Sequence, residues 1–316
     1  VPALLEFEKP IVELETKINE LKAFAAEKDI DLSNEIDTLE KRARELKQNI
    51  YGNLTPWQKV QIARHPERPN ALDYIKLLIT DFITLSGDRL YGDDPAVVGG
   101  IGRFDGQPVT VIAHLKGKDT KQNVACNFGM AHPEGYRKAI RLMKQAEKFK
   151  RPVICLVDTP GAYCGMGAEE RGQGEAIARS LMEMSTLKIP LISVIIGEGG
   201  SGGALAFSVS DRILMQEHAI FSVSTPEACA SILWKDGTKA QQAAAALRLT
   251  AQDLLDLEVT DEIIAEPLGG AHRNAEEAAK LMAKSIRKHL GQLKEIASET
   301  LVDHRYKKFR AMGKMG

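Results

Sequence analysis

What this sequence has little of narrows its function first. Net charge is almost absent: 42 Lys and Arg stand against 43 Asp and Glu in 316 residues, a balance of −1. Without an excess of positive charge there is no global attraction for phosphates, so a dedicated DNA or RNA binder is not expected. Long apolar runs are missing too. None exceeds five residues, as in Val153 to Val157, against the roughly 20 that a membrane helix needs. The first residues carry Glu6 and Glu8 where a signal peptide would have a basic and then an apolar stretch. Neither a membrane span nor a signal peptide is therefore expected. Cysteine is scarce: Cys126, Cys155, Cys164 and Cys229 show no C-x-x-C spacing and no companion histidine pair, so no metal and no disulfide framework are assigned. Reduced thiols suit a cytoplasmic location.

What is present suits a soluble globular protein, with 44% hydrophobic residues to build a large core. Apolar residues at Leu4, Phe7, Ile11, Leu14, Ile18 and Leu21, and again at Ile36, Leu39, Ala43, Leu46 and Ile50, fall at steps of three and four. Two helices with one apolar seam each follow, with Ser33 the expected cap of the second, and residues 1–50 should form a helical hairpin. That hairpin either packs on its own domain or grips another subunit. Residues 51–95 hold four prolines around one helix-like stretch, Leu72 to Leu85, and read as a connecting segment with little regular sheet. A core over 96–270 begins with two strands, Ala96 to Phe104 and Gln107 to His114, around the hairpin-turn dipeptide Asp105-Gly106. Then come a helix over Pro133 to Lys150, a strand over Val153 to Asp158, a helix over Ala168 to Thr186, a strand over Leu191 to Ile196 and a short helix from Ser201. Further strands are expected at Arg212 to Gln216 and Ile220 to Val223, and helices at Pro226 to Leu233, Thr238 to Leu249 and Ala251 to Glu258. This alternation is that of an α/β layer fold. The C-terminal helices of 271–316 carry 11 basic against five acidic residues, a solvated face or a basic docking surface.

Two passages share one design. Val153 to Val157 leads into Asp158-Thr159-Pro160-Gly161-Ala162-Tyr163, and Leu191 to Ile196 leads into Gly197-Glu198-Gly199-Gly200-Ser201-Gly202-Gly203. A buried strand ends in a glycine-bearing loop before a helix, where backbone N–H groups can meet a negative charge. Gly202 and Gly203 are the expected donors, at the positive end of the following helix. Close packing alone would account for one or two of the five glycines. Gly197-x-Gly199-x-x-Gly202 also satisfies the dinucleotide fingerprint, with Glu217 about twenty residues on, but the helix available before Asp211 is short for such a crossover. A phosphate-binding P-loop is excluded, since Ala204-Leu205 stands where Lys-Ser/Thr is required. No Ser-His-Asp set is evident.

Asp158 to Tyr163, Gly165-x-Gly167-Ala168-Glu169-Glu170-Arg171-Gly172, Gly197 to Ala206 and Glu266-Pro267-Leu268-Gly269-Gly270-Ala271-His272-Arg273 together resemble the alpha subunits of bacterial and plastid-type acetyl-CoA carboxylase carboxyltransferase. The similarity also takes in Phe7-Glu8-x-Pro10-Ile11, Ala63-Arg64-His65-Pro66-x-Arg68-Pro69 and Ser231 to Lys235. The resemblance implies a crotonase-like spiral of ββα units and transfer of a carboxyl group from carboxybiotin, held on a biotin carboxyl carrier protein, to acetyl-CoA, giving malonyl-CoA. It implies a carboxyltransferase beta subunit in an α2β2 assembly, which supplies a zinc ribbon and most of the acetyl-CoA pocket, and a biotin carboxylase that uses ATP. By position, the Gly202 and Gly203 N–H groups would hold the biotin carbonyl oxygen as it gains enolate character. Gly199, Gly200, Gly161 and Ala162 would shape the biotin pocket. Asp158, Thr159 and Tyr163 are expected to stabilise their own loop. Lys116, Lys118 and Lys121 form a basic stretch after a strand that could meet a coenzyme A phosphate or an acidic carrier, or be a plain solvated loop, and Arg171 could clamp a ligand or pair with Glu169 and Glu170. A competing reading is a stand-alone crotonase-type hydratase or isomerase, with Glu227 as an acid or base of raised pKa in a dry pocket. A noncatalytic scaffold built on the helical hairpin would leave the glycine run unexplained.

Overall fold

The computed structural model describes residues 4–313. The chain opens with helices α1 (Lys9–Lys28) and α2 (Ser33–Gly52), the expected hairpin. Each seam buries its middle: Ile11 and Ile18 on α1, Ala43 and then Tyr51 on α2, while Leu4 at the start lies open. Ser33 is not the capping group. Its amide and hydroxyl both donate to the Asp31 carboxylate, at 3.0 and 2.6 Å, because an Asp two residues upstream reaches the first helical N–H as well as a hydroxyl can.

Next come α3 (Pro56–Ala63), α4 (Ala71–Leu78) and strand β1 (Thr80–Thr84). The stretch read as one helix over Leu72 to Leu85 therefore splits. Asn70 caps α4 by accepting from the Leu72 and Asp73 amides, and Asp73 reciprocates to the Asn70 amide. After Leu78, Thr80, Phe82, Ile83 and Thr84 are residues that favour a pleated edge over a helix. Strands β2 (Val97–Phe104) and β3 (Gln107–His114) form the expected hairpin, with φ of 48° and 76° at Asp105 and Gly106 as a type I′ turn requires.

The remaining elements are α5 (Thr120–Ala125), α6 (Pro133–Lys148), β4 (Val153–Thr159), α7 (Met166–Glu170), α8 (Gln173–Thr186), β5 (Leu191–Gly200), α9 (Ser201–Leu205), β6 (Arg212–Gln216), β7 (Ile220–Ser222), α10 (Pro226–Trp234), α11 (Ala240–Ala246), α12 (Ala251–Asp256), β8 (Glu262–Ile264), α13 (Ala275–Lys294) and α14 (Ser298–Ala311). The helix expected over Ala168 to Thr186 is broken at Gly172, whose φ is 79°. β8 is a short strand that the sequence pattern did not mark. The sheet runs β1-β2-β3-β4-β5-β6-β8, antiparallel through β3 and parallel from there on, and β7 pairs with the far end of β5. Every residue of β4 and β5 is buried, as strands covered on both faces must be. One face packs on α6 and α8 through Leu142, Met143, Ala176 and Met184. The other packs on α4 and α13 through Tyr74, Ile75, Met282 and Ile286.

Two buried ion pairs tie α14 and the α3–α4 connection to this sheet. Arg305 of α14 donates to both Asp211 carboxylate oxygens and to the Met184, Leu187 and Ile189 carbonyls. Arg68 donates to both oxygens of Glu266, to Gln216 and to the Ile196 carbonyl. Burial alone would raise the Glu266 carboxyl, but Arg68 and the surrounding donors outweigh it and hold it near 2. A carboxyl depressed from 4.5 to about 2 on folding binds fewer protons folded than unfolded in that window. Its stabilisation is complete above 4.5 and is lost as pH falls toward 2. Glu198 and Glu8 carry the same shift. The melting temperature, followed by circular dichroism, is accordingly expected to fall steadily between pH 5 and 3, and a flat profile there would contradict this account.

Candidate active site: two glycine-bearing segments meet

The glycine run is not a loop. β5 continues through Gly197 to Gly200, with Thr159 opposite Gly199 on one side and Glu198, Gly199 and Gly200 opposite Ile220, Phe221 and Ser222 of β7 on the other. Relative to β4, two extra residues of β5 bulge between Ile195 and Gly199, the kind of irregularity that re-aims backbone next to sites. None of the five glycines has a positive φ, whereas Ser201 does, at 52°. Space, not dihedral freedom, is what four of them supply. A Cβ on Gly197 would lie 2.6 Å from the Asp158 carboxylate, on Gly199 2.8 Å from Phe221, on Gly200 2.1 Å from the Pro160 carbonyl and on Gly203 2.6 Å from the Ala162 nitrogen. Close packing thus accounts for four glycines rather than one or two. Gly202 differs, since its nearest neighbour would be Ile177 at 3.6 Å, an ordinary contact.

The two segments therefore touch, with Gly200 against Pro160 and Gly203 against Gly161 and Ala162. Thr159 brackets its own loop: its hydroxyl accepts from the Gly161 amide at 3.1 Å and donates to the Gly161 carbonyl at 2.7 Å. The Gly161 N–H is thereby occupied, whereas the Ala162 N–H has no acceptor among the described residues. Across the contact, no side chain caps the first turn of α9. With five residues, α9 offers individual N–H groups at Gly202 and Gly203 rather than the dipole of a long helix.

A charged chain underlies β5. Lys116 donates to Asp158 at 2.8 Å and to Glu198 at 2.6 Å, Asp158 accepts from the Glu198 amide at 2.9 Å, and Arg64 bridges Glu198 at 2.6 Å to Glu227 at 2.6 Å. Burial would raise the Glu198 carboxyl, but Lys116 and Arg64 hold it at about 2. Burial would likewise lower the Lys116 ammonium, and Asp158 and Glu198 reverse this and raise it. Arg64, Lys116, Asp158 and Glu198 line one wall of a cavity of about 320 Å³ that also borders Pro160, Asn70 and Phe128.

Several expected residues are thus placed differently. Lys116 points into the protein onto two carboxylates, which leaves it no free charge for a phosphate; Lys118 pairs with Asp73 at 2.7 Å, and Lys121 is exposed at the start of α5, making no ion pair among the described residues. Arg171 pairs with neither Glu169 nor Glu170 but donates to Glu134 at 2.9 and 3.2 Å, with its guanidinium 4.5 Å from the Tyr91 ring centre. The raised pKa required of Glu227 as a hydratase acid is contradicted. Burial pushes its carboxyl up, Arg64 overrides this, and the group sits below its ordinary value, 42% exposed. Sequence reading also missed a cluster at the root of the N-terminal hairpin. Glu8, His65 and His272 bring one ligand atom each within 4.8 Å of one another, but Glu8 already accepts from Tyr51, His272 and Arg273, and the two imidazoles stack at 4.3 Å. A guanidinium beside the carboxylate and stacked rings suit a lock between hairpin and core better than a cation.

A family model described as acetyl co-enzyme A carboxylase carboxyltransferase-like matches residues 4–313. The chain belongs to this family. The acetyl-coenzyme A carboxylase carboxyl transferase subunit alpha of Heliobacterium modesticaldum is 62% identical over 309 residues, covering 98% of this chain and 92% of that protein. Its counterpart in Geobacillus kaustophilus is 59% identical over 313 residues, covering 99% and 96%. Among solved structures, a Pseudomonas malonate decarboxylase hetero-tetramer in complex with coenzyme A aligns at a TM-score of 0.60 and 16% identity, over 74% of this chain and 91% of that one. Transcarboxylase 12S with methylmalonyl-coenzyme A aligns at 0.54 and 19%, over 68% and 42%. At such identity the likeness is one of fold, and that fold is the crotonase-like carboxyltransferase architecture expected. This alpha-subunit family is one of carboxyltransferase subunits, so the hydratase reading is set aside. Among the described residues no helix is long and apolar enough to cross a membrane.

Proposed function

We propose that this chain is the biotin side of a carboxyltransferase site completed by a beta subunit, acting in the transfer of a carboxyl group to acetyl-CoA. The observation that carries the reading is the contact between the two glycine-bearing segments, which sets the unpartnered Ala162 N–H beside Gly203 and the uncapped first turn of α9. Carboxybiotin, when bound, supplies the activated carboxyl group. The N–H groups of Gly202 and Gly203, with Ala162 across the seam, hold the ureido oxygen and favour the negative charge it gains. A preorganised donor of this kind is worth about 10²–10³ in rate. The chain's contribution is charge stabilisation and placement, with Gly199, Gly200 and Gly161 shaping the floor by close contact and Lys121 left as the basic side chain free to meet a phosphate or an acidic carrier. The partners we assign are a zinc-bearing beta subunit in an α2β2 assembly, a biotin carboxyl carrier protein and an ATP-using biotin carboxylase, in the cytoplasm.

The test is malonyl-CoA-dependent carboxyl transfer to a soluble biotin derivative by this chain alone, by a beta subunit alone and by the two mixed. Activity confined to the mixture is expected. Turnover by this chain alone with no gain on mixing would overturn the shared site.

A further inference from the structure

The companion loop Pro160 to Tyr163 is anchored at its start by the Thr159 hydroxyl. Its other end is held from a distance in sequence. Gln173, the first residue of α8 and only 4% exposed, lies after the left-handed Gly172. Its carboxamide nitrogen donates to the Ala131 carbonyl at 2.8 Å and to the Tyr163 carbonyl at 2.8 Å, while the Tyr163 amide donates to the same Ala131 carbonyl at 3.1 Å. Two carbonyl oxygens can be served only by the NH₂ end of an amide, so the orientation of this carboxamide follows from its partners. Its Oε1 is buried with no partner among the described residues. An unserved buried acceptor carries a desolvation cost, which the neighbouring pair of bonds must offset.

We infer that Gln173 is a positioning residue for the proposed reaction: its carboxamide clamps Tyr163 to Ala131 and so fixes where the Ala162 N–H lies against Gly203. Gln173 reaches neither Gly203 nor the Ala162 amide through any of its hydrogen bonds, and it acts through the segment between its two anchors. The inference rests on the biotin-side reading given above. Only a residue of this shape with two donors fits. Gln173→Glu keeps the shape but sets carboxylate oxygens against two carbonyl oxygens at hydrogen-bond distance, and Gln173→Met keeps the volume while deleting both bonds.

The experiment uses each variant assembled with a beta subunit, and measures malonyl-CoA-dependent transfer to a soluble biotin derivative with both KM values resolved. In Gln173→Glu, kcat is expected to fall about tenfold or more and the KM for the biotin derivative to rise severalfold, with the malonyl-CoA KM unchanged. Part of that loss should return as pH is lowered, because a protonated carboxyl regains one donor. Gln173→Met should show the same split without the pH-dependent recovery. If Gln173→Glu does not fold, the split in Gln173→Met decides. Wild-type kinetics in either variant, or equal loss on both substrate sides, would overturn the positioning role. Absence of transfer by the wild-type assembly would instead overturn the biotin-side reading and this inference with it.

Discussion

Arg68→Met should cost this protein about 3–5 kcal/mol of folding stability, the range found when one partner of a buried ion pair is removed. The side chain is 3% exposed and its Glu266 partner fully buried. Methionine fills much of the volume, so the loss reports electrostatics more than a cavity. Glu266 would retain hydrogen bonds from the Ala271 and His218 amides, at 2.6 and 3.0 Å, but no countercharge. The Ile196 carbonyl, where β5 begins to bulge toward its glycines, would lose its donor as well. The double variant Arg68→Met with Glu266→Met should recover a large part of the loss, since an apolar pair avoids the desolvation cost of both charges. Denaturant titration of the three variants gives the comparison, and a single variant as stable as the wild type would refute the importance assigned to this pair.

Arg68 also shows where sequence reading stops. It is 198 residues from Glu266, and nothing in local spacing separates a buried charge from a solvated one. The same limit hid Arg64, Lys116 and Glu198 as one connected chain, and it turned Lys116 from a candidate phosphate contact into an internal countercharge. What was legible was periodic or punctuated: the seams of α1 and α2, the continuous apolar runs of β4 and β5, and the Asp105-Gly106 turn, whose chemistry admits few alternatives. β1 was lost because Ile79 to Thr84 follows a helix without a break in hydrophobicity, and β8 because three residues carry no period. The glycine run stands out in the sequence as a candidate site, but spacing alone does not show that four of its five glycines are closely packed. The space a side chain would need is taken by the Asp158 carboxylate, the Phe221 ring and the backbone of Pro160 to Ala162, and that crowding is a property of the fold that spacing along one segment does not express. Gln173 had no signal at all, being one amide on a helix of mixed composition.

That crowding yields a sharp expectation within the run itself. Gly203→Ala and Gly200→Ala should each destabilise the chain by about 2–3 kcal/mol, as overpacking does, because the added methyl meets backbone of the companion loop at 2.6 and 2.1 Å and backbone cannot rotate away as a side chain can. Any displacement carries the Ala162 N–H with it, and a shift on the order of 1 Å at a positioned group costs about 10²-fold in rate. Transfer by the assembled enzyme should thus fall at least tenfold in both. Gly202→Ala should behave oppositely. Its methyl faces Ile177 at 3.6 Å, its φ is not positive, its N–H survives, and alanine is favoured over glycine in a helix by about 1 kcal/mol. Stability equal to or slightly above wild type, with activity within about threefold, is the expected result. Gly202→Pro is a poorer probe of the same donor, because proline disfavours the left-handed conformation that Ser201 holds just before it. If Gly202→Ala instead abolishes transfer while melting like wild type, the ligand must occupy the space beside Ile177, and the donor geometry proposed for Gly202 is wrong. If all three variants lose stability alike, the glycines serve the fold alone, and the negative charge must be held by other groups.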